Sequence, residues 1–475
     1  MSLVGRKDLA GEIYRQLRAA IVSGRLRPGD ALPATRDLAR RLEVARTTVT
    51  VAYDRLNGEG YVRSRVGAGT FVSDEVPVAG PSPQLGGGRA ADGALRPRPI
   101  WDRIPVPTVF AARADYDLRT GLPDASLFPF EAWRRLLARE LRAPAVGRGH
   151  YGDPSGHPAL REAIARHVGT SRGVTATAEN VTVTSGTQQA LDLVARVLLA
   201  PGDRVAMEDP GYQPPRQLFE SLGLDVSGTR VDADGLVVDE LPDSARLVYV
   251  TPSHQFPLGM AMSLPRRLAL LAWAERHDAA IVEDDYDSEF RYGGRPVEPL
   301  QAIDTSGRVI YVGSFSKTML PGLRLGFVVT PASLSPAVGS AKYVTDWHTP
   351  LPTQAALARF IDEGLLARHL RRMRSVYQIR HEMVVDMLDG PLGEHLTLIP
   401  SAAGLHVSAT APGHSSQDIA AVVERALGYG VAVRSLEKCR VEQAPRSGLA
   451  LGYGAIETDR LPEALRLLER AFASR

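Results

Sequence analysis

The sequence predicts a two-part molecule: a small helical head closed by a β-hairpin, then a large α/β body with a mostly parallel central sheet and a smaller C-terminal subdomain. Three observations carry this. A chain of 475 residues is too long for one ordinary domain. In the first seventy residues, apolar positions recur at helical spacing and then give way to two strand-like runs. From about residue 115 onward, short β-branched runs alternate with helical segments, the pattern of a layered sheet.

In the head, Leu9, Ile13, Leu17 and Ile21 share one helical face. Gly24 and LRPGDALP end that helix, and Thr35 is placed to cap a second one, TRDLARRLEV. A third helix follows in ARTTVTVAYDRLNGEG, with Val49, Tyr53 and Leu56 inward and Arg46, Thr47, Thr48 and Thr50 exposed at its start. YVRSR and GTFVS then form a hairpin across VGAG. Three helices and a hairpin make the winged helix-turn-helix plan. Charge agrees: residues 1–73 hold 13 Lys+Arg and 7 Asp+Glu, a net of +6, which leaves −4 for the rest of a chain of net +2. A basic head on a mildly acidic body points to a polyanion partner for the head. Short hydroxyls and backbone N–H groups at a helix start suit phosphates, and Arg46 can read a guanine edge.

The stretch from Glu75 to about Thr108 is rich in Pro and Gly and lacks periodicity, so a tether is expected over 75–114, between a head at 1–74 and a body at 115–475. Cys439 is the one cysteine, which excludes an internal disulfide. No run approaches the ~18 apolar residues of a membrane span, and the N-terminus lacks a signal-peptide core. A cytoplasmic protein without membrane contact is expected. No metal-ligand spacing is evident.

In the body, VTVTS, RVAMED, LVYVTP, AIVEDD, VIYVGSF and LGFVVT read as strands. Ligands of such sheets gather at the carboxyl ends of strands. After VTVTS, Gly186, Thr187 and Gln188 open a helix whose positive end can cradle a phosphate. After RVAMED, Tyr212 stands on a Pro/Gly turn. AIVEDD runs into EDDYDSEFRY, whose acids are costly if buried without a cation. VIYVGSF runs into SKTMLPGLR, where Lys317 can form a Schiff base, Ser314 offers a hydroxyl and Arg324 can clamp a phosphate. A ligand that needs a phosphate site, an acid for a ring nitrogen, a phenol and an amine is pyridoxal 5'-phosphate.

Two resemblances sharpen this. "SGRLRPGDALPATRDLARRLEVARTTVTVAYDRLNGEGYVRSRVGAGTFV" resembles the GntR-type winged-helix domain, which implies DNA contacts at Arg36, Arg46, Thr47, Thr48 and Gly69. Ala45 stands where that family commonly has serine, so the third helix lacks a side-chain N-cap. "YGDPSGHPALREAIARHV", "SGTQQAL", "EDPGY", "EDDYDSEFRY" and "SFSKTMLPGLRLGF" resemble the fold-type I aminotransferases, in that family's order, over roughly 115–475. The likeness implies a Schiff base at Lys317 and Asp284 against the pyridine nitrogen, with Asp285 its rival. It further implies Tyr286 on the ring hydroxyl, Tyr212 stacked on the ring, and Gly186, Thr187, Gln188, Ser314 and Arg324 on the phosphate. Tyr151 would reach the phosphate of the other subunit of a homodimer.

Head and body together resemble the MocR/GabR subfamily of bacterial transcription regulators, with "TPSHQFPLG" and "EDDYDSEFRY" especially similar. The resemblance implies a regulator that binds operator DNA and senses pyridoxal phosphate or an amino compound. The head of one subunit can rest on the body of the other. The alternative is a working aminotransferase with an accessory DNA-binding domain. Against turnover, the usual Asn-Pro-x-Gly turn is here Phe256-Pro257-Leu258-Gly259. The strand that usually supplies an arginine for the substrate carboxylate offers Ala450, leaving Arg434 as the substitute carboxylate ligand.

Overall fold

In the computed structural model, the described residues are 8–65, 69–74, 95–104, 114–142, 149–293, 298–440 and 447–473. The chain divides into two compact units, 1–96 and 97–475. Most of the tether expected over 75–114 lies outside the described residues. Its part at 97–104 groups with the body, where Arg98 donates to the carbonyl of Ser221 at 2.9 Å.

In the head, helices α1 (Leu9–Val22), α2 (Thr35–Leu42) and α3 (Arg46–Gly58) precede strands β1 (Val62–Arg65) and β2 (Gly69–Val72). The strands pair antiparallel, Val62 opposite Val72. Ile13, Leu17, Ile21, Leu38, Val49, Tyr53 and Leu56 form one core that Val62 and Val72 close. The apolar spacing in the sequence is this core. Thr35 does not cap α2. Ala34 occupies the N-cap without a side-chain bond, and the Thr35 hydroxyl instead accepts from Arg46 Nε at 3.4 Å. That places a hydroxyl of α2 against the first side chain of α3. Ala45 caps α3 and gives it no side-chain bond.

The body is built on an eight-stranded sheet of order β4-β11-β10-β9-β8-β5-β6-β7. Its strands are β4 (Val181–Thr184), β5 (Arg204–Asp209), β6 (Asp225–Asp232), β7 (Gly235–Leu236), β8 (Ala245–Val250), β9 (Ala280–Asp285), β10 (Val309–Ser314) and β11 (Gly326–Val329). β5, β6, β8, β9 and β10 run parallel along the centre. β11 is antiparallel to both β10 and β4, and β7 to β6. Helices cover the sheet, among them α4 (Phe130–Glu140), α5 (Pro158–Arg172), α6 (Thr187–Leu198), α7 (Gln213–Ser221) and α8 (Leu264–Arg276). Burial on both faces explains why the central strands read as unbroken apolar runs. Helices α9 (Ser335–Asp346), α10 (Leu351–Asp362) and α11 (Leu365–Asp389) lead to the smaller subdomain. There β12 (Thr397–Ile399), β13 (His406–Thr410), β15 (Arg434–Ser435) and β16 (Gly448–Gly452) form an antiparallel sheet of order β12-β13-β16-β15, and β3 (Tyr116–Asp117) pairs parallel with β14 (Val431–Ala432). The buried Arg380 of α11 ties this subdomain to the start of the body, donating to Asp124 Oδ2 at 2.7 Å and to the Gly454 carbonyl at 3.1 Å. No described helix is long and apolar enough to cross a membrane.

The uncapped start of α3 gives a direct test. Ala45→Ser is expected to stabilise the head by about 1 kcal/mol, read as a rise in the midpoint of its thermal transition in the full-length protein.

Candidate functional site

The three acids that end β9 are buried, and each is handled differently. Side chains alternate along a strand, so Glu283 and Asp285 face one way and Asp284 the other. Glu283 accepts the N–H groups of Leu300 and Gln301 at 3.0 Å each and lies 3.6 Å from Arg267, both side chains fully buried. Asp285 accepts from Arg172 Nε at 2.9 Å and from the Tyr311 hydroxyl at 2.7 Å. Burial alone would push its carboxyl up. The Arg172 charge and the bonds from Ser288 and Tyr311 instead hold it below its ordinary value. Asp285 is thus committed to a structural ion pair.

Asp284 is not committed. Its Oδ2 accepts the Tyr249 hydroxyl at 2.7 Å, but its Oδ1 is buried with no partner. Burial raises its carboxyl to about 7, against the Tyr249 bond and the pull of Lys317. A buried acceptor left open costs free energy unless something donates to it. An N–H⁺ in the cleft would fill that position, an opening that Asp285, paired with Arg172, does not offer.

Lys317 follows β10 and is half-buried. Its Nζ donates to the Gly121 carbonyl at 2.6 Å. Burial holds the amine below its ordinary value, with Asp287 and Asp284 pulling it back up and Arg324 pushing it down. A lysine with a lowered pKa is the form that attacks an aldehyde.

Strand register assembles the phosphate end. Ser314 pairs with Gly326, and Gly326 with Thr184. The Thr184 hydroxyl donates to the Gly186 carbonyl at 3.1 Å, shaping the turn into α6. Gly186 has φ 78°, and a Cβ there would stand 2.7 Å from Arg324 Nη2. A Cβ on Gly326 would lie 2.8 Å from Gly186 Cα. Both glycines are therefore required by close approach. The Arg324 side chain is exposed and donates to the Ser185 carbonyl at 2.6 Å. The result is a helix N-terminus with a guanidinium beside it, an anion site. Ser314 Oγ donates to Ser316 Oγ and accepts the Ser316 N–H. Thr187 is the first residue of α6. The Gln188 amide turns to the Pro214 carbonyl at 3.2 Å, which leaves only its backbone for an anion. Tyr212 is half-buried with its ring edge-on to Phe256 at 5.2 Å.

Tyr286 donates to the His254 carbonyl at 2.9 Å and lies 3.1 Å from His254 Nδ1. That nitrogen is also 3.0 and 3.1 Å from the two oxygens of Asp287. His254, Asp287 and His406 place ligand-type atoms within 4.8 Å of one another. All three are engaged, His406 Nε2 with the Pro257 carbonyl at 2.9 Å. Arg434 Nη1 is 3.5 Å from Thr120 Oγ1, next to the carbonyl that holds Lys317. Arg434 pairs with Ala450 across β15 and β16, so the guanidinium missing from one strand is offered by its neighbour. Tyr151 is 74% exposed and stacked on Trp347 at 4.3 Å, outside this cluster. A separate cavity of about 700 Å³, with Asp153, Asn180 and Tyr343 in its wall, shares none of the site residues.

Sequence reasoning passed over the Gly121 carbonyl, Tyr249 and Asp287. Gly121 is 196 positions from Lys317 and carries no side chain to signal it. Asp287 was visible within EDDYDSEFRY but had no assigned part. In the head, Arg36, Arg46, Thr47 and Gly69 are exposed, and Thr48 is half-buried.

The bacterial regulatory proteins of the gntR family match residues 9–72, and the aminotransferases of class I and II match residues 117–462. The chain is 40% identical to the probable rhizopine catabolism regulatory protein MocR of Rhizobium meliloti, over 97% of this chain and 93% of that one. It is 32% identical to the HTH-type pyridoxine biosynthesis transcriptional regulator PdxR of Corynebacterium glutamicum, over 95% and 93%. Among solved structures, the kynurenine aminotransferase of Pyrococcus horikoshii superposes with a TM-score of 0.70 at 29% identity, covering 80% of this chain and 95% of that one.

The open carboxylate predicts a pH effect. Asp284 has a folded value of about 7 against an ordinary 3.8. The folded state therefore keeps a proton that the unfolded chain has released. That contribution is full below pH 4 and is lost as pH rises through 7. Asp284→Asn should make the cofactor-free protein more stable than wild type at pH 8, with the advantage shrinking toward pH 4. Chemical denaturation across that range checks it.

Proposed function

Because this chain belongs to the GntR-type regulators that carry an aminotransferase class I and II body, we propose that it is a transcription regulator whose body binds pyridoxal phosphate at Lys317. In this reading the bound cofactor, or an amine captured on it, shifts how the heads engage an operator. The single observation that carries the reading is the unpartnered Asp284 Oδ1 in a cluster with Lys317. When bound, pyridoxal phosphate supplies an aldehyde that captures amines and a ring that withdraws electrons.

The chain's own groups divide the work. Lys317 presents a nucleophilic amine, steadied on the Gly121 carbonyl. Asp284 Oδ1 would accept from the ring N–H⁺, which would restore the charge that burial suppresses. Gly186, Thr187 and the Gln188 backbone would hold the phosphate, with Ser314 and Arg324 beside them. Tyr212 would cover the ring and Tyr286 would meet its hydroxyl. Arg434 offers a carboxylate clamp for an amino-acid-like effector. Phe256 puts an apolar ring where the aminotransferases carry asparagine, which favours capture over turnover.

The chain acts as a cytoplasmic homodimer in this reading, with Tyr151 completing the partner's phosphate site and two heads matching two half-sites. Residues 1–74 form the head, 115–475 the sensing body, and 75–114 the connection. Arg36, Arg46, Thr47 and Thr48 present the head to DNA, and Gly69 lets the wing approach the backbone. Sensing requires that the ligand bind one arrangement of heads more tightly than the other.

Lys317→Ala is expected to abolish the visible absorbance that wild type gains with pyridoxal phosphate. Arg46→Ala should weaken operator binding by about 1–3 kcal/mol in a gel shift at fixed salt. Binding and transcription from the upstream promoter that stay unchanged across pyridoxal phosphate and candidate amines would overturn the sensing role. Steady turnover of an amino donor with a keto acid would favour the enzyme instead.

A further inference from the structure

We propose that His254, locked by Asp287, is a positioning residue for Tyr286, and that this dyad takes over the work of the asparagine that Phe256 replaces. It sets how strongly the Tyr286 hydroxyl donates into the Lys317 site. The inference rests on the reading that pyridoxal phosphate bonds to Lys317.

Geometry carries the argument. The side chains of His254 and Asp287 are each 2% exposed. An ionised carboxylate only accepts, so the proton between them sits on His254 Nδ1. His254 Nε2 is buried without a partner. A neutral ring leaves there an unfilled acceptor rather than a stranded N–H. His254 Nδ1 also lies 3.1 Å from Tyr286 Oη, so its one proton is shared between the Asp287 carboxylate and the phenol oxygen, while that hydroxyl donates to the carbonyl of the same histidine at 2.9 Å. One residue thus meets the phenol at two points. A hydroxyl that accepts a hydrogen bond becomes a stronger donor.

The surroundings fit this use. Burial, followed by the charges of Asp287 and Asp284, pushes the Tyr286 phenol well above its ordinary value, so it stays protonated. Asp287 Oδ2 is further held by the Leu405 N–H at 3.2 Å. His406, whose ring lies 4.7 Å from that of His254, spends its Nε2 on the Pro257 carbonyl. Among the described residues, the charged groups acting on Tyr286, Tyr212 and Lys317 include Asp284, Asp287, Glu208, Asp285, Lys317, Arg324 and Arg434. At Gly404, φ is 82° and a Cβ would stand 2.0 Å from His254 Cε1 and 2.6 Å from Asp287 Oδ2. The backbone is therefore closed directly over the dyad, which leaves His254 no second position. In this structure Tyr286 spends its proton on His254; a ring oxygen in the cleft would compete for it.

The test is a pH titration of the visible band of the full-length, pyridoxal-phosphate-loaded protein, with thermal midpoints in parallel. His254→Phe should raise the midpoint of the band by about one pH unit, the worth of a hydrogen bond to a charged group, whereas Asp287→Asn also removes a negative charge that holds the Lys317 nitrogen up, so its shift is read only as a difference between backgrounds. His254→Asn keeps a donor near the Nδ1 position and should return it toward wild type. The His254→Phe shift should vanish in a Tyr286→Phe background. Variants that lower the thermal midpoint but leave the titration in place would make the dyad merely structural and overturn the proposal, as would a shift that persists without the Tyr286 hydroxyl. If His254→Phe does not fold, the near-isosteric Asp287→Asn decides by the difference between its shift in the wild-type and Tyr286→Phe backgrounds, since the charge change is common to both; equal shifts would overturn the proposal. A wild type with no Lys317-dependent band would remove the underlying reading as well; a band that is present but unmoved removes only the dyad.

Discussion

The site depends on one constraint: three carboxylates end a buried parallel strand, and each must find a positive or donating partner. Period-two alternation decides which partners are within reach. Glu283 and Asp285 turn to arginines brought by α8 and α5. Asp284 turns to the opposite face and meets only a tyrosine. The strand is therefore satisfied on one side and left wanting on the other. The second oxygen of Asp284 is buried and unpartnered, in a field it shares with a lysine.

The other half of the site comes from sheet register rather than charge. β11 runs against its neighbours and brings Gly326 between Ser314 and Thr184. Without side chains at Gly326 and Gly186, the turn into α6 can close on Arg324. That sets the start of α6 and the Arg324 guanidinium beside the end of β10, from which Lys317 follows, and the likeness to aminotransferase class I and II proteins gives the same frame.

What distinguishes this body from an aminotransferase lies in the layer behind the cofactor residues. Phe256 removes a polar contact from the turn after β8, and His254, two positions earlier, meets Asp287 and Tyr286. Ala450 removes a guanidinium from β16, and Arg434 supplies one from the adjacent β15. Each loss is local and each replacement comes from a neighbour in space.

Much of this was legible in the sequence. Apolar periodicity gave the three head helices, because a small core needs the same face at every turn, and the strand-end motifs put Lys317, Asp284, Arg324 and Gly186 forward, which the structure places at or just after the strand ends the motifs mark. Local signals failed where a group could be satisfied in two ways. Thr35 read as a cap but faces Arg46, and Asp285 read as a rival to Asp284 until Arg172, 113 residues away, took it. The sequence by itself determined which chemistries were present and roughly where on the strands they stood. Only the tertiary structure decided which oxygen was left without a partner and which histidine grips the phenol. Those are questions of what lies within about 3 Å in space, and residues far apart in the chain answer them.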